Sequence, residues 1–137
     1  MRSVAPNPEK YEILPETISK EPLGPAVRRG DSEWFQIVRW SFYAMVSAEE
    51  LGVTKANVDK MRAESTDPNV QRLLGKSDDM GKLIGLDKDW SYRIVKQVGN
   101  YGESWNEFFG PKTKLNLPRG LNRLYTDGGL MYAMPIR

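Results

Sequence analysis

Apolar residues in the first part of the chain follow a helical repeat that polar positions hardly interrupt. From Trp34 to Leu51 they recur at steps of three and four residues, and only a narrow edge is polar. Asp31 or Ser32 can cap the start of this helix, and Gly52 can end it in the left-handed conformation. The pattern predicts one long helix, buried on most of its circumference, which some other part of a protein must cover.

A proline-rich segment precedes this helix. Residues 1–30 hold five of the nine prolines, a pattern that favours short extended pieces over helices. We predict two such pieces, at residues 11–14 and 23–28. Because Pro22 and Pro25 have no N–H to donate, the second piece is expected at a sheet edge or at a crossing between folding units.

Two shorter helices are predicted after the long one. The first follows a cap at Thr54 and runs through Val58 and Met61. The second has Asp67 as its cap and Pro68 at its first position, where the missing N–H costs no hydrogen bond.

A second substantial helix is predicted to begin after Asp89 and to stop at Gly110. Its apolar residues form one stripe at helical spacing: Ile94, Val98, Tyr101, Trp105 and Phe108. Gly99 and Gly102 lie inside this stripe. They are expected to allow close packing or a bend rather than to mark a break.

Elsewhere the pattern is weaker. Residues 75–89 are polar apart from one short apolar turn, and a last short helix is predicted at residues 119–125, before an apolar tail. The predicted fold class is therefore mainly α with a few short strands, in a chain of 137 residues, one domain's length.

Composition limits function chiefly through what is absent. The chain is 39% hydrophobic and 28% charged, which fits a folded domain, and its net charge of +2 implies no strong electrostatic steering. It has no Cys and no His, which removes thiol nucleophiles, imidazole bases, disulfides and the commonest transition-metal ligands. No apolar run approaches the roughly 20 residues of a membrane span. The N-terminus lacks the pattern of a signal peptide.

The acidic pairs do not favour catalysis. Asp78 and Asp79 are adjacent in sequence, as are Glu49 and Glu50, so the side chains of each pair diverge. An enzyme would need Asp78, Asp79 or Glu103 to meet in a cleft, and we predict that they do not. The chain is therefore predicted to be no enzyme, with no catalytic residues and no cofactor.

Residues 87–91 resemble the start of a calcium-binding loop only in part. Such a loop needs Gly at its sixth position and Glu at its twelfth, where this chain has Tyr92 and Val98. Helix capping explains Asp87 and Asp89 better. No metal site is predicted.

The C-terminal segment, residues 112–137, is basic and contains two tyrosines. It carries five cationic residues against one acid: Lys112, Lys114, Arg119, Arg123 and Arg137. Because one short basic tail binds phosphate weakly and without specificity, no nucleic-acid partner is predicted. The tryptophans at helical spacing are assigned to core packing rather than to a ligand box: Trp34, Trp40, Trp90 and Trp105.

Several segments together carry a resemblance to one protein family. Residues 14–34, LPETISKEPLGPAVRRGDSEW, closely resemble a segment of the periplasmic general L-amino-acid-binding proteins, which deliver polar amino acids to ABC transporters. The likeness spans nearly the whole chain, with further matches at residues 38–40, 48–54, 73–75, 85–90, 94–103, 119–122 and 128–137. The chain is identified as resembling only the C-terminal portion of such a protein, well under half of its length.

The resemblance implies a two-lobed α/β fold whose lobes close on an amino acid. Residues 1–29 then correspond to the end of the second lobe and the hinge crossing, and residues 30–137 to the C-terminal helical part of the first lobe. The hinge is expected at four residues: Leu23, Gly24, Pro25 and Ala26. The family's ligand contacts lie mainly upstream of Met1, so the ligand-binding residues in this chain remain unknown.

The resemblance also implies binding rather than catalysis. A complete protein would bind an L-amino acid, close by hinge motion and deliver the ligand to a membrane permease, with a periplasmic location expected from the family. In this chain, the apolar helix from Trp34 to Leu51 is expected to be left uncovered, which predicts self-association or a partner. The alternative function is a truncated helical oligomer with an interaction role that does not bind amino acids.

Overall fold

The computed structural model describes residues 6, 7, 10–12, 14, 16, 18, 19, 21 and 23–136, and its central element is helix α1 (Ser32–Glu50). The Asp31 carboxylate accepts a hydrogen bond from the Trp34 N–H at 3.0 Å, which caps the start of the helix. Gly52 follows the helix with φ at +66°, the left-handed conformation that ends it. Both predicted ends of this helix are confirmed.

Shorter helices follow α1 in the chain and pack beside it. They are α2 (Val58–Glu64), α3 (Pro68–Leu73), α4 (Trp90–Val98) and α5 (Tyr101–Phe108). Three 3₁₀ turns lie among the described residues, at Gly81–Ile84, Gly120–Asn122 and Tyr125–Asp127. Helix α1 contacts α3, α4 and α5, while α2 packs on α3 and α4. The predicted mainly α fold class is confirmed.

Two hydrophobic clusters lie on opposite sides of α1. Ala44 and Ala48, one helical turn apart, belong to the larger cluster, which also contains Val53, Val58, Val70, Leu73, Leu74, Trp90 and Val95. Val46 lies two positions from each alanine and therefore points about 200° away around the helix axis. It forms the smaller cluster with Leu124 and Ala133 of the C-terminal segment. Helix α1 thus joins the whole described core.

The predicted long helix between Asp89 and Gly110 is wrong, because α4 and α5 are separate helices. Gly99 lies between them with φ at +82° and ψ at −173°, a backbone region essentially restricted to glycine. Asn100 then caps α5 in a capping box: its side chain accepts from the Glu103 N–H, and the Glu103 carboxylate accepts from the Asn100 N–H, each at 2.9 Å. The local capping chemistry outweighs the apolar periodicity here.

The apolar stripe predicted across α4 and α5 is interrupted by the same break. Val98 and Phe108 are exposed, while Val95 is fully buried in their place. Gly102 does have the close-packing role predicted for it. A Cβ atom added there would lie 2.8 Å from a Glu49 carboxylate oxygen and 2.9 Å from an Arg119 nitrogen.

Neither predicted extended piece forms a strand among the described residues. Residues 23–28 have no ladder partner there, and all but Val27 are exposed. The first piece, at residues 11–14, includes Ile13, which lies outside the described residues. An extended, proline-rich backbone needs a neighbouring strand to become part of a sheet, and the described chain supplies none.

The predicted helix at residues 119–125 is also wrong. Two 3₁₀ turns occupy this stretch, and Arg123 between them is extended, with ψ at 162°. Leu124 forms a parallel bridge with Met131 instead, the isolated bridge of the described ranges. The Tyr125 N–H donates to the Met131 carbonyl, and the Met131 N–H donates to the Arg123 carbonyl. In a helix these backbone groups would have been paired within the helix.

Helix α2 starts later than predicted. Its first residue is Val58, and Thr54 instead exchanges hydrogen bonds with Asn57. The Thr54 N–H donates to the Asn57 side chain at 2.7 Å, and the Asn57 N–H donates to the Thr54 hydroxyl at 3.2 Å. This reciprocal pair makes a turn before the helix rather than a cap at its start.

Helix α1 is less buried in this structure than its sequence predicts. The buried residues of the helix are Ala44, Val46 and Ala48, all in its second half. Trp34 is 52% exposed and Phe35 is 43% exposed. The first half of α1 therefore presents an uncovered apolar surface.

We predict that Gly99→Ala lowers the free energy of unfolding by about 2 kcal/mol, because alanine is strained in this backbone region. Its Cβ would also lie 2.8 Å from a Glu103 carboxylate oxygen. Gly24→Ala is the matched control, since an added Cβ there meets nothing within 4 Å. Urea denaturation followed by circular dichroism measures both variants. Equal losses of stability would contradict the role assigned to Gly99.

Candidate functional site

The candidate site consists of large apolar side chains that are exposed along the first part of the described chain. Ile18 and Leu23 in the N-terminal arm, residues 10–29, are 98% and 93% exposed. Trp34 and Phe35 at the start of α1 are about half exposed. Folded domains rarely leave several large apolar groups of one region in water. This surface therefore has the character of an interaction surface rather than of a catalytic site.

Arg39 adds a polar element to this surface of α1. Its guanidinium group lies 5.1 Å from the centre of the Phe35 ring and donates a hydrogen bond to the Gln36 side chain at 2.7 Å. The Nε atom of Arg39 is buried and has no hydrogen-bond partner among the described residues. We define the open face of α1 by Trp34, Phe35 and Arg39. It offers apolar area beside a guanidinium group.

The four residues predicted as a hinge lie in the exposed arm. Leu23, Gly24, Pro25 and Ala26 are all exposed. Among the described residues, no backbone hydrogen bond involves residues 23–27, and the first one after them joins the Asp31 N–H to the Arg28 carbonyl at 3.3 Å. The backbone of these four residues is therefore not held by packing or hydrogen bonds within the described chain.

A largely buried ion pair fastens the C-terminal segment to α1. The Glu49 and Arg119 side chains are only 15% and 18% exposed. Both carboxylate oxygens accept from the guanidinium group, one of them at 3.1 Å, in a bidentate pair. The same guanidinium donates to the Asn122 carbonyl at 2.7 Å and lies 5.3 Å from the Tyr101 ring centre. Arg119 therefore has a structural role and does not belong to a free basic surface.

The same environment affects Tyr101. Burial raises the pKa of its hydroxyl above the usual value, an effect that Arg119 opposes and Glu49 reinforces. Tyr101 also packs edge to face against Phe42 of α1, with ring centres 5.6 Å apart. Its neutral form is thus part of the packing between α1 and α5.

A second polar network joins the loop after α1 to the start of α5. The Asn100 side chain donates to the Val53 carbonyl at 2.9 Å. The Glu103 carboxylate accepts from the Lys55 N–H at 3.0 Å, and the Lys55 ammonium donates to the Gln97 carbonyl at 2.8 Å. Glu103 is therefore committed to backbone donors and has a structural rather than a catalytic role.

The other two carboxylates considered for catalysis have separate local partners. Asp78 forms an ion pair with Arg72 at 3.2 Å, and Asp79 accepts from the Lys82 N–H at 3.3 Å. Across the described part of the chain, no group of three or more acidic side chains is placed to hold a metal ion. Nor does any helix described here have the length and apolar character needed to cross a membrane.

Other cationic residues of the C-terminal segment also have internal partners. Lys112 pairs with Glu107 at 3.0 Å, and Arg123 donates to the Gly120 carbonyl at 3.1 Å.

Trp90 and Trp40 take part in the core packing that was predicted for the tryptophans. Trp105 packs against Phe109, with ring centres 5.2 Å apart. Trp34 is 52% exposed, so the prediction that it packs in the core is wrong. Trp40 meets Tyr43 edge to face with ring centres 5.5 Å apart.

Sequence reasoning had no signal for the contact between Glu49 and Arg119. The two residues are 70 positions apart, and nothing in their local sequence links them. The Asn100 capping box, in contrast, had a readable signal, an Asn followed three residues later by Glu103. The helical stripe obscured that signal.

The known proteins that are similar to this chain include members of the family that its sequence resembles. The glutamate/glutamine/aspartate/asparagine-binding protein BztA of Rhodobacter capsulatus is 54% identical over 136 residues, which is 99% of this chain and 40% of that protein. The general L-amino acid-binding periplasmic protein AapJ of Rhizobium johnstonii is 49% identical over 139 residues, covering 100% of this chain and 40% of its own length. The chain thus spans about 40% of the curated relatives that it matches.

A solved structure is similar over the same range. The ABC transporter periplasmic binding protein from Brucella ovis with glutathione bound matches with a TM-score of 0.92 and 46% identity, over 99% of this chain and 43% of that one. No family model matches the chain. The predicted resemblance to a portion of an amino-acid-binding protein is confirmed. These relatives are binding proteins of transport systems, which supports the prediction that the chain is not an enzyme.

We predict that Glu49→Leu lowers the free energy of unfolding by about 3 kcal/mol, because Arg119 would remain largely buried without its carboxylate. Adding Arg119→Met should recover part of this loss, since no charge is then left unpaired. Glu107→Leu removes an exposed pair with Lys112 and should cost at most about 1 kcal/mol. Chemical denaturation measures all three. A double variant less stable than Glu49→Leu would contradict this account.

We further predict that stability declines at alkaline pH partly through Tyr101. Burial raises the pKa of Tyr101 in the folded state. The contribution of Tyr101 to the free energy of unfolding is therefore fully present below its unfolded-state pKa, and it is lost as the pH rises through its folded-state pKa. Tyr101→Phe should therefore flatten the alkaline decline in thermal midpoint. Tyr11→Phe, at an exposed position of the arm, is the control. The same decline in all three proteins would exclude a contribution from Tyr101.

Proposed function

We propose that this chain, which is homologous to amino-acid-binding proteins of ABC transporters, forms the C-terminal part of such a protein and acts in amino-acid uptake. The observation that carries the proposal is the 54% identity that extends over 99% of the chain. The matched range extends over nearly the whole chain, so it includes the loops as well as the helices. The proposed chemistry is reversible binding, with no bond made or broken.

In this proposal the chain contributes to both lobes. Residues 1–29 form the end of the second lobe and the crossing, and residues 30–137 form the helical part of the first lobe. The structure supports such a division, because the helices pack around two hydrophobic clusters while the described residues of the arm, except Val27, are exposed. An arm with this exposure fits a segment whose packing partners belong to another part of a protein.

The proposed hinge comprises Leu23, Gly24, Pro25 and Ala26. Hinges are short segments that absorb changes in φ and ψ while packed units on either side stay rigid. Exposure of all four residues and the free space around Gly24 support this position. Pro25 would limit the motion to the residues beside it, since its own φ is fixed.

The proposed ligand is an L-amino acid or a compound that carries an α-amino-acid group. The names of two relatives specify amino acids, and the solved relative has glutathione bound, which contains such a group at its glutamyl end. We place the ligand contacts outside this chain, upstream of Met1. The proposed partner is a membrane permease, and the proposed location is the periplasm, by analogy with the relatives named above.

The alternative, a helical oligomer with an interaction role, has no comparison in its favour. The open face of α1 is compatible with it, but a covering lobe would account for the same exposure. Light scattering on the purified chain tests the alternative directly. A monomer at micromolar concentration would exclude it.

A chimera that adds the remaining portion of a relative to this chain tests the proposed function. Residues 1–137 are joined to the upstream portion of the Rhodobacter capsulatus relative, in place of that protein's own matching segment. Calorimetric titration with L-glutamate should show saturable binding by the chimera and none by the isolated chain. A folded chimera that binds no amino acid, or an isolated chain that does, would overturn the proposal.

The chimera also tests whether the open face of α1 is covered. We predict that Trp34→Ala changes the stability of the isolated chain little, because this side chain is already half exposed. In the chimera the same change should cost about 3 kcal/mol, the usual loss for a buried aromatic residue. Leu83→Ala, at a position 76% exposed, serves as the control in both proteins. Equal effects of Trp34→Ala in the two proteins would show that this face stays uncovered.

A further inference from the structure

A cavity of about 270 Å³ lies where α1 ends, between the start of α3 and the C-terminal segment. Its floor is apolar and includes Leu73 and Ala133, both buried in the core. Ser47 and Asn69 contribute polar groups to its wall. Because pockets for drug-sized ligands begin at about 300 Å³, this cavity suits a smaller molecule.

Two tyrosines and a carboxylate form one side of the cavity. The rings of Tyr125 and Tyr132 meet edge to face, with centres 5.1 Å apart and planes at 74°. The Tyr125 hydroxyl donates a hydrogen bond to Glu50 Oε1 at 3.1 Å. The hydrogen bond to Glu50 raises the pKa of Tyr125, so its hydroxyl stays protonated and keeps the carboxylate in place. Aromatic faces beside a fixed carboxylate form an environment that attracts cations.

The charge balance at the end of α1 supports the same conclusion. The last turn of α1 carries Glu49 and Glu50 and no basic residue, although the helix dipole favours cations at this end. Arg119 balances Glu49, but Glu50 has no ion-pair partner among the described residues. None of the described residues that line the cavity is basic. Glu50 is exposed to solvent, and a cation bound in the cavity would balance its charge.

We propose that this cavity binds an organic cation, a primary ammonium or guanidinium group on a short aliphatic chain. The charged group pairs with Glu50 and contacts the faces of Tyr125 and Tyr132. Its remaining N–H groups donate to the side-chain oxygens of Ser47 and Asn69. The aliphatic part covers the apolar floor. This binding site needs no residue from outside the chain.

Two sources can supply such a cation. One is a free small amine. The other is the C-terminal Arg137, which lies outside the described residues and follows Ile136, a residue of the cavity wall. The chemistry is the same in both cases, and the experiment separates them through Arg137→Gln.

The test is an NMR titration of the 137-residue chain with n-butylammonium chloride, which follows the tyrosine ring signals, with 1-butanol as the uncharged probe of similar shape. We expect saturable shifts with the ammonium and none with the alcohol at equal concentration. Glu50→Gln keeps an oxygen for the Tyr125 hydroxyl but removes the charge, and should raise the Kd about tenfold. Glu64→Gln, at an exposed position of α2, should leave the Kd unchanged.

The Arg137→Gln variant identifies the source of the cation. Tighter binding of butylammonium by this variant than by the parent chain supports the site and identifies Arg137 as its occupant. Equal binding supports the site and identifies a free amine as the ligand. The proposal is overturned if neither protein shows saturable shifts, if butanol produces the same shifts as the ammonium, or if Glu50→Gln binds as tightly as the parent. Circular dichroism confirms that each variant is folded.

Discussion

Helix α1 holds the described structure together, because both hydrophobic clusters pack against it. Its small residues allow this arrangement. Ala44 and Ala48 let α3 and α4 approach on one side, while Val46 meets the C-terminal segment on the other. Dense packing transmits a displacement of the shared helix to every element that contacts it. Glu49 and Glu50 near its C-terminal end therefore belong to a helix that packing already holds on two sides.

Side-chain contacts and a single β-bridge hold the C-terminal segment in place, although it contains little regular secondary structure. A bidentate pair between Glu49 and Arg119 attaches it to α1, and Gly102 leaves the space that this pair occupies. The bridge between Leu124 and Met131 closes the segment on itself. A pair of this kind costs desolvation energy, so its value lies more in fixing one arrangement than in adding stability. It also positions Tyr125 against Glu50, beside the cavity for which a cation is proposed.

The first half of α1 and the arm before it contrast with this well-packed region. Large apolar side chains are exposed there, among them Trp34 and Phe35. The relatives are more than twice as long as the stretch that they share with this chain. Under the proposed function, these features have one cause, since the open face of α1 belongs against a part of the protein that is not in this sequence.

Features that depend on neighbouring residues and on composition could be read from the amino-acid sequence. These are both ends of α1, the proline-led start of α3, the mainly helical class and the resemblance that the comparisons confirm. The sequence also contained the Asn100 capping signal, which the apolar periodicity across Gly99 obscured. The packing of the helices determines which of several apolar positions face the core, such as Val95 rather than Val98. Only the folded chain could join Glu49 to Arg119 across 70 residues, because such contacts depend on how helices pack and not on local spacing.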